Sequence, residues 1–149
     1  MLKPRVLILC TGNSARSQMA EGFMKKYMGD EFDVVSAGLE PKPINPYAIQ
    51  VMHELNIDIS QQYSKDVKQY LKEHFAYLIT VCSNAEDRCP IFPNVIYRLF
   101  WPLEDPAAFE GSDAAKLAKF REIRDQLDVR IRTWMLEYKL KQVYPQAQQ

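Results

Sequence analysis

The sequence predicts an α/β fold: three layers, with a four-stranded parallel sheet in the order 2-1-3-4 flanked by helices. Three observations carry this. Short apolar runs alternate along the chain with segments of helical period. The first run, Arg5–Cys10, is apolar at successive positions, as in a strand buried on both faces. Crossovers between parallel strands are right-handed, which leaves few topologies, and 2-1-3-4 is the simplest of them.

Each element follows from local signals. Ser17 to about Met28 reads as a helix with Ala20, Phe23, Met24 and Tyr27 on one face and Gly29 as its stop. Phe32–Ala37 is a short strand closed by Gly38. Pro41, Pro43 and Pro46 mark a loop, and Asn45-Pro46 is an N-cap followed by proline at the first helical position. That helix is expected to reach Leu55, with Ile49, Met52 and Leu55 inward and Asn56 ending it. Ser64 is expected to cap a helix from Lys65 to about His74, burying Val67, Tyr70 and Leu71. Tyr77–Val81 is an apolar strand that ends on Cys82, and Val95–Phe100 is the last strand. Glu104-Asp105-Pro106 is a loop, since a residue before proline avoids the helical region. From about Ser112 a long helix runs past Tyr138, with Leu117, Phe120, Ile123, Leu127, Ile131, Trp134 and Tyr138 at helical spacing. Val143 to Gln149 is expected to fray.

A length of 149 residues implies one domain, 1–149. Nineteen basic residues balance nineteen acidic ones, so bulk charge points to neither nucleic acid nor a membrane surface. The Val6–Cys10 run is too short for a signal-peptide core, and nothing approaches the roughly 20 apolar residues of a spanning helix. The expected location is the cytoplasm. In that reducing compartment three cysteines do not make a structural disulfide framework.

The chemistry starts where the first strand ends, in Cys10-Thr11-Gly12-Asn13-Ser14-Ala15-Arg16-Ser17. Main-chain N–H groups of residues 11–17, between strand and helix, can converge on an anion. Gly12 permits a turn that a Cβ would hinder. Arg16 offers a planar fork of donors for a tetrahedral oxyanion. That positive field is expected to hold Cys10 largely as thiolate near neutrality, with Ser17 donating to the sulfur. In a parallel sheet ligands bind beyond the carboxyl ends of the strands, which places Cys10, Cys82 and Asp105 on one rim.

Cys82 and Cys89 are seven residues apart. On a continuous helix that is about 10.5 Å of rise, against the roughly 7 Å between Cα atoms that a disulfide tolerates. If the two ever pair, the segment between them cannot then be a regular helix. The polar stretch ending in Cys89-Pro90 suits a loop that can re-form, and so a relay from Cys10 to Cys82 to Cys89. Blander readings exist: a core Cys82, a surface Cys89, or a zinc site with His53 or His74. The last is weak, because Cys-x6-Cys is not usual ligand spacing and neither histidine lies near a cysteine in sequence. Trp101 and Trp134 read as packing residues and Lys119–Arg124 as a solvated helix face.

Cys10-x5-Arg16-Ser17 at a strand-to-helix junction resembles the low-molecular-weight protein tyrosine phosphatase fold. Cys82, Cys89-Pro90 and Phe100-Trp101 before Asp105-Pro106 resemble its thioredoxin-coupled arsenate reductase branch. The resemblance runs from about Arg5 to Trp134 and leaves about 136–149 as a C-terminal extension. It implies that the loop Thr11, Gly12, Asn13, Ser14, Ala15, Arg16 and Ser17 holds arsenate, or a similar oxyanion such as phosphate. It implies Cys10 as nucleophile and Asp105 as general acid. Cys82 and then Cys89 would take over the oxidation, leaving a Cys82–Cys89 disulfide for thioredoxin. No cofactor is required by this reading, though a potassium ion beside the loop is implied at Asn13, Glu21 and Ser36. The alternative enzyme is a tyrosine phosphatase. Against it, the loop has no second cysteine, and Asp105-Pro106 is followed by Ala107-Ala108 where such phosphatases carry tyrosines. A thiol sensor or arsenite-binding protein needs neither Arg16 nor Asp105, and the chain has no basic recognition helix.

Overall fold

The structure is a computed structural model that describes residues 2–145. Four strands alternate with four helices: β1 Arg5–Cys10, α1 Arg16–Met28, β2 Asp33–Gly38, α2 Pro46–His53, β3 Phe75–Thr80, α3 Ser83–Asp87, β4 Val95–Phe100 and α4 Asp113–Val143. All pairings are parallel and the order is β2-β1-β3-β4, as the sequence predicts. Central β1 is the most buried strand, with Val6 to Leu9 inaccessible to solvent, which is why it is apolar throughout. At the edge, β4 leaves Ile96 and Tyr97 exposed.

The strands turn alternate residues to opposite faces. Tyr77 of β3 meets Trp134 of α4 edge-on, and α1 and α4 pack together on that side. Thr80, of opposite parity, bonds Glu86 of α3 on the other side. One stripe of α4 makes the closure: Phe120, Ile123, Leu127 and Ile131 are buried, and Trp134 and Tyr138 join Phe32 in an aromatic cluster.

Several boundaries differ from the sequence reading. The helix expected from Lys65 to His74 is only a 3-10 turn, Val67–Tyr70, capped by Asp66 rather than Ser64, and Leu71 is only half-buried. Ser64 and Lys65 are drawn instead to the Cys10 loop. α2 stops at His53, because Asn56 takes a left-handed φ of 60° and Ile57 turns inward. Between Cys82 and Cys89 stands the short α3 rather than a loop. The Lys119–Arg124 stretch is not simply a solvated face, for Arg124 is buried and bonds the Val51 carbonyl and Glu54. The expected C-terminal extension begins as helix, since α4 continues to Val143, and the end of the expected frayed tail, 146–149, lies outside the described residues. No helix among the described residues is long and apolar enough to cross a membrane.

Glu54 ties the end of α2 to α4. Arg121 grips both its oxygens, at 2.8–3.1 Å, and Arg124 adds a bond at 2.8 Å. Those bonds, from Arg121 first, pull the carboxyl down to about 2 from an ordinary 4.5, against a smaller desolvation effect. A depressed folded value means that the stabilisation is complete above 4.5 and is lost as pH falls toward 2. Glu54→Gln is therefore expected to cost about 1 kcal/mol at pH 7, as for a partly exposed bidentate pair. Urea unfolding at pH 7 and pH 3 checks this, the gap between variant and parent narrowing at the lower pH.

Candidate active site

The loop after β1 owes its shape to Asn13. The residue is fully buried and sits at φ 50°, the left-handed region that asparagine tolerates better than most side chains. The sequence assigns the unusual backbone to Gly12; the structure assigns it to Asn13. Asn13 is saturated with bonds. Its N–H donates to Cys10 Sγ at 3.1 Å. Its Nδ2 donates to Ser17 Oγ at 2.7 Å and Ser36 Oγ at 2.9 Å. Its Oδ1 accepts from the Lys65 N–H at 2.9 Å, and its carbonyl from Gln18 Nε2 at 3.0 Å and Ser64 Oγ at 2.7 Å. Gly38, at the end of β2, lets this loop close down: a Cβ there would stand 2.7 Å from the Thr11 carbonyl oxygen and 2.9 Å from the Asn13 nitrogen. Sequence reasoning missed Gln18, Gly38, Ser64 and Lys65. Gln18 carries a signal, being polar in the first turn of a largely buried helix. Ser64 and Lys65 carry none, since they act from some fifty residues away.

Cys10 is buried at the foot of the loop. Ser17 Oγ lies 2.8 Å from its sulfur. Since that oxygen already accepts from Asn13 Nδ2, its own proton is free for the sulfur. Even so, burial pushes the Cys10 thiol above its ordinary 9.0. The Ser17 hydroxyl, the Ser17 N–H and the Arg16 charge pull it down by less. The expectation of a resting thiolate near neutrality is corrected on this point: it weighs the donors and omits the loss of water.

Cys82 stands on the same rim. It caps α3, its sulfur accepting the Ala85 N–H at 3.3 Å, and it lies 3.4 Å from Thr11 Oγ1. Asn84 Nδ2 donates to that same Thr11 oxygen at 2.7 Å, which leaves the threonine proton available to Cys82. A negative charge at Cys82 would push the Cys10 thiol up further, so the two sulfurs are close enough to act on each other. Cys89 follows α3, half-buried, with its thiol on the Pro90 carbonyl at 3.4 Å. Burial raises it, Arg98 partly offsets this, and Glu86 adds to the rise.

A cavity of about 260 Å³ opens above Cys10. Thr11, Gly12, Ser14, Ala15 and Arg16 line one side, and Asp105 and Ala107 another. Arg16 donates to the Leu103 carbonyl at 3.0 Å and lies 3.8 Å from Asp105 Oδ2, so it fastens the Asp105 segment to the loop. Asp105 is half-exposed and accepts the Ala107 N–H at 3.0 Å. A tetrahedral anion here would meet main-chain donors, a guanidinium, a sulfur below and a carboxyl beside it. His53 and His74 are exposed and apart from the cysteines, and among the described residues no cluster of three His, Cys, Asp or Glu side chains offers a metal site.

Asn13, Glu21 and Ser36 do come together, with Ser36 Oγ donating to Glu21 Oε1 at 2.6 Å. They do not fit a potassium ion. Asn13 presents its amide hydrogens to Ser36, and the Glu21 charge is met by the ammonium groups of Lys25 at 2.6 Å and buried Lys65 at 3.8 Å. A third cation would gain little and would be repelled by two.

The family model for low molecular weight phosphotyrosine protein phosphatase matches residues 5–147. An arsenate reductase from Halalkalibacterium halodurans is 48% identical over 134 residues, covering 90% of this chain and 96% of that protein. Among solved structures, an arsenate reductase in the phosphate binding state superposes with a TM-score of 0.77 at 33% identity, over 90% of this chain and 98% of that one. A thioredoxin-dependent arsenate reductase from Corynebacterium glutamicum gives a TM-score of 0.70 at 29% identity, covering 94% of this chain and 64% of that one.

With its thiol raised, Cys10 is expected to react with iodoacetamide at a rate that climbs through pH 9 rather than levelling near neutrality. Ser17→Ala, which removes a donor to the sulfur, is expected to slow alkylation at pH 7 about fivefold, the worth of one hydrogen bond. Peptide mass spectrometry, separating Cys10 from Cys82 and Cys89, measures both.

Proposed function

The chain belongs to the low molecular weight phosphotyrosine protein phosphatase family, and within it we propose that it reduces arsenate to arsenite. The observation that carries this is Cys82, whose sulfur meets Thr11, a lining residue of the oxyanion cavity whose floor is Cys10. A phosphatase needs the cavity, the nucleophile and the acid; it has no use for a second thiol bonded to the nucleophile's loop. Two of the named relatives, the arsenate reductase from Halalkalibacterium halodurans and the phosphate-bound one, match over nearly their whole length and support the reading.

Arsenate lies against the main chain of 11–17 with Arg16 across it. Cys10 passes its proton to an arsenate oxygen and its sulfur bonds to arsenic(V), while Asp105 protonates the oxygen that leaves as water. Cys82 thiolate then attacks the Cys10 sulfur. The electron pair of the S–As bond passes to arsenic, which departs as arsenite, arsenic(III), and a Cys10–Cys82 disulfide remains. Cys89 thiolate attacks Cys82, frees Cys10 and leaves Cys82–Cys89. A dithiol protein of the thioredoxin class returns that bond to two thiols. Exposed Ile91, beside Cys89-Pro90, gives such a partner an apolar contact next to the sulfur it must reach.

Phosphatase action is the alternative. The non-loop wall of the cavity, Lys42, Pro43, Asn45, Asp105 and Ala107, has no aromatic side chain to stack on a phosphotyrosine ring.

The deciding assay is arsenate-dependent NADPH consumption with thioredoxin and its reductase, beside aryl phosphate hydrolysis. The parent is expected to turn over, and Cys10→Ser to be inactive. Cys89→Ala is expected to release one arsenite per chain and stall with Cys10 and Cys82 joined, which non-reducing peptide mapping detects. Asp105→Ala is expected to slow the first step about 100-fold or more while the cysteines still pair. Multiple turnovers by Cys89→Ala would refute the relay, and fast ester hydrolysis without arsenate turnover would favour the phosphatase. Since lysines serve Glu21, rates in potassium and in choline chloride of equal ionic strength are expected to agree.

A further inference from the structure

The cavity above Cys10 has a second cation on its wall that the relay does not use. Lys42 lies between β2 and α2, lines the cavity with Pro43 and Asn45, and is exposed. Among the described residues it makes no ion pair. Its main chain is nevertheless held firmly. The N–H donates to the Gly12 carbonyl at 2.9 Å, and the carbonyl meets the Ser64 hydroxyl. Prolines flank it at 41 and 43, narrowing the backbone further. The stem runs beside Gly12, its Cδ 3.7 Å from where a Gly12 Cβ would stand, an ordinary contact distance. The result is a pinned backbone carrying a free ammonium on a long arm at the mouth of an anion cavity.

Arg16 alone is an incomplete counter-charge. It already donates to Leu103, and Asp105 stands 3.8 Å away. A dianionic arsenate or phosphate brings two negative charges, and this one guanidinium is shared with the Leu103 carbonyl and the Asp105 carboxyl. A multiply charged oxyanion over this floor needs another cation.

We propose that Lys42 is an anion-capturing residue, its ammonium closing over the mouth to pair with an outer oxygen of a small tetrahedral oxyanion seated on the 11–17 loop. This rests on the reading of that loop as an oxyanion site. The ligand class is unesterified arsenate or phosphate. Arsenous acid, the product, is neutral near pH 7, so Lys42 attracts the substrate without holding the product.

The test uses the full chain with its thiols reduced and inorganic phosphate as probe. Phosphate is titrated against iodoacetamide alkylation of Cys10, each variant being scaled to its own unprotected rate. Lys42→Gln is expected to raise the half-protecting phosphate concentration about tenfold, and to flatten its dependence on added salt. Lys42→Arg is expected to stay within about threefold of the parent, since it keeps the charge. In arsenate turnover the glutamine variant is expected to raise KM about tenfold with kcat reduced no more than about twofold. Equal protection of parent and Lys42→Gln would overturn the inference, as would equal weakening by glutamine and arginine, which marks the stem and not the charge. A parent that phosphate does not protect overturns it together with the oxyanion site. Lysine-dependent protection in a parent that reduces no arsenate leaves the inference standing and removes the reductase reading.

Discussion

One buried side chain, Asn13, sets the geometry on which the rest of the site depends. A left-handed residue turns the chain abruptly off the end of β1, so that its N–H points back at the Cys10 sulfur. The turn persists because the carboxamide and carbonyl are over-determined. They are bonded to α1 through Ser17 and Gln18, to β2 through Ser36, and to the segment before the 3-10 turn through Ser64 and Lys65. Each of these groups is buried or half-buried, where an unmade hydrogen bond costs about 1–3 kcal/mol. The shape of the oxyanion loop is thus held by the body of the protein and needs no bound anion to create it.

The same network decides where protons point. Asn13 donates to Ser17, which leaves the serine proton for Cys10; Asn84 donates to Thr11, which leaves the threonine proton for Cys82. Two thiols therefore each face a hydroxyl whose oxygen also accepts from a neighbouring carboxamide. At Cys10 this is not enough to offset burial, and the thiol stays above its ordinary range. The imbalance has a chemical reading. A buried sulfur is shielded from stray oxidants, and the donors Asn13 and Ser17 lie where a negative sulfur would need them once the proton is gone. Burial and activation oppose each other here, and the loop is arranged so that the second can win during reaction.

Much of this was legible in the sequence, because it rested on local signals. The four strands, their order, α1, α4 and the junction Cys10–Ser17 follow from apolar runs, helical spacing and the placement of reactive residues at strand ends. The misses share a cause. Ser64 looked like a helix cap because hydroxyl, charge and apolar spacing agreed locally, yet its hydroxyl and the Lys65 main chain are claimed by Asn13. Gly12 looked like the residue of unusual backbone because glycine usually is, and Asn13 took that role because its side chain had partners in three other elements. Thiolate character was misjudged because a sequence displays donors but not the depth at which they sit. Long-range hydrogen bonding and desolvation are tertiary quantities, and no local pattern encodes them.

The short helix between Cys82 and Cys89 shows how such tertiary support can serve chemistry. Five residues are too few to make a helix stable on its own, since the nucleation cost is spread over almost no propagation. α3 exists because Ala85 is buried, because Glu86 is bonded to Thr80, and because Cys82 itself caps it with its sulfur. While it stands, the Cys82 sulfur is committed to its cap and both Cys82 and Cys89 are free thiols. In the proposed relay Cys82 leaves the cap to attack Cys10, and that removes one of three supports. The helix is then weakest when Cys89 must approach. A cap made of the reacting sulfur couples the loss of the helix to the progress of the reaction, so the last thiol is released by the step that creates its target.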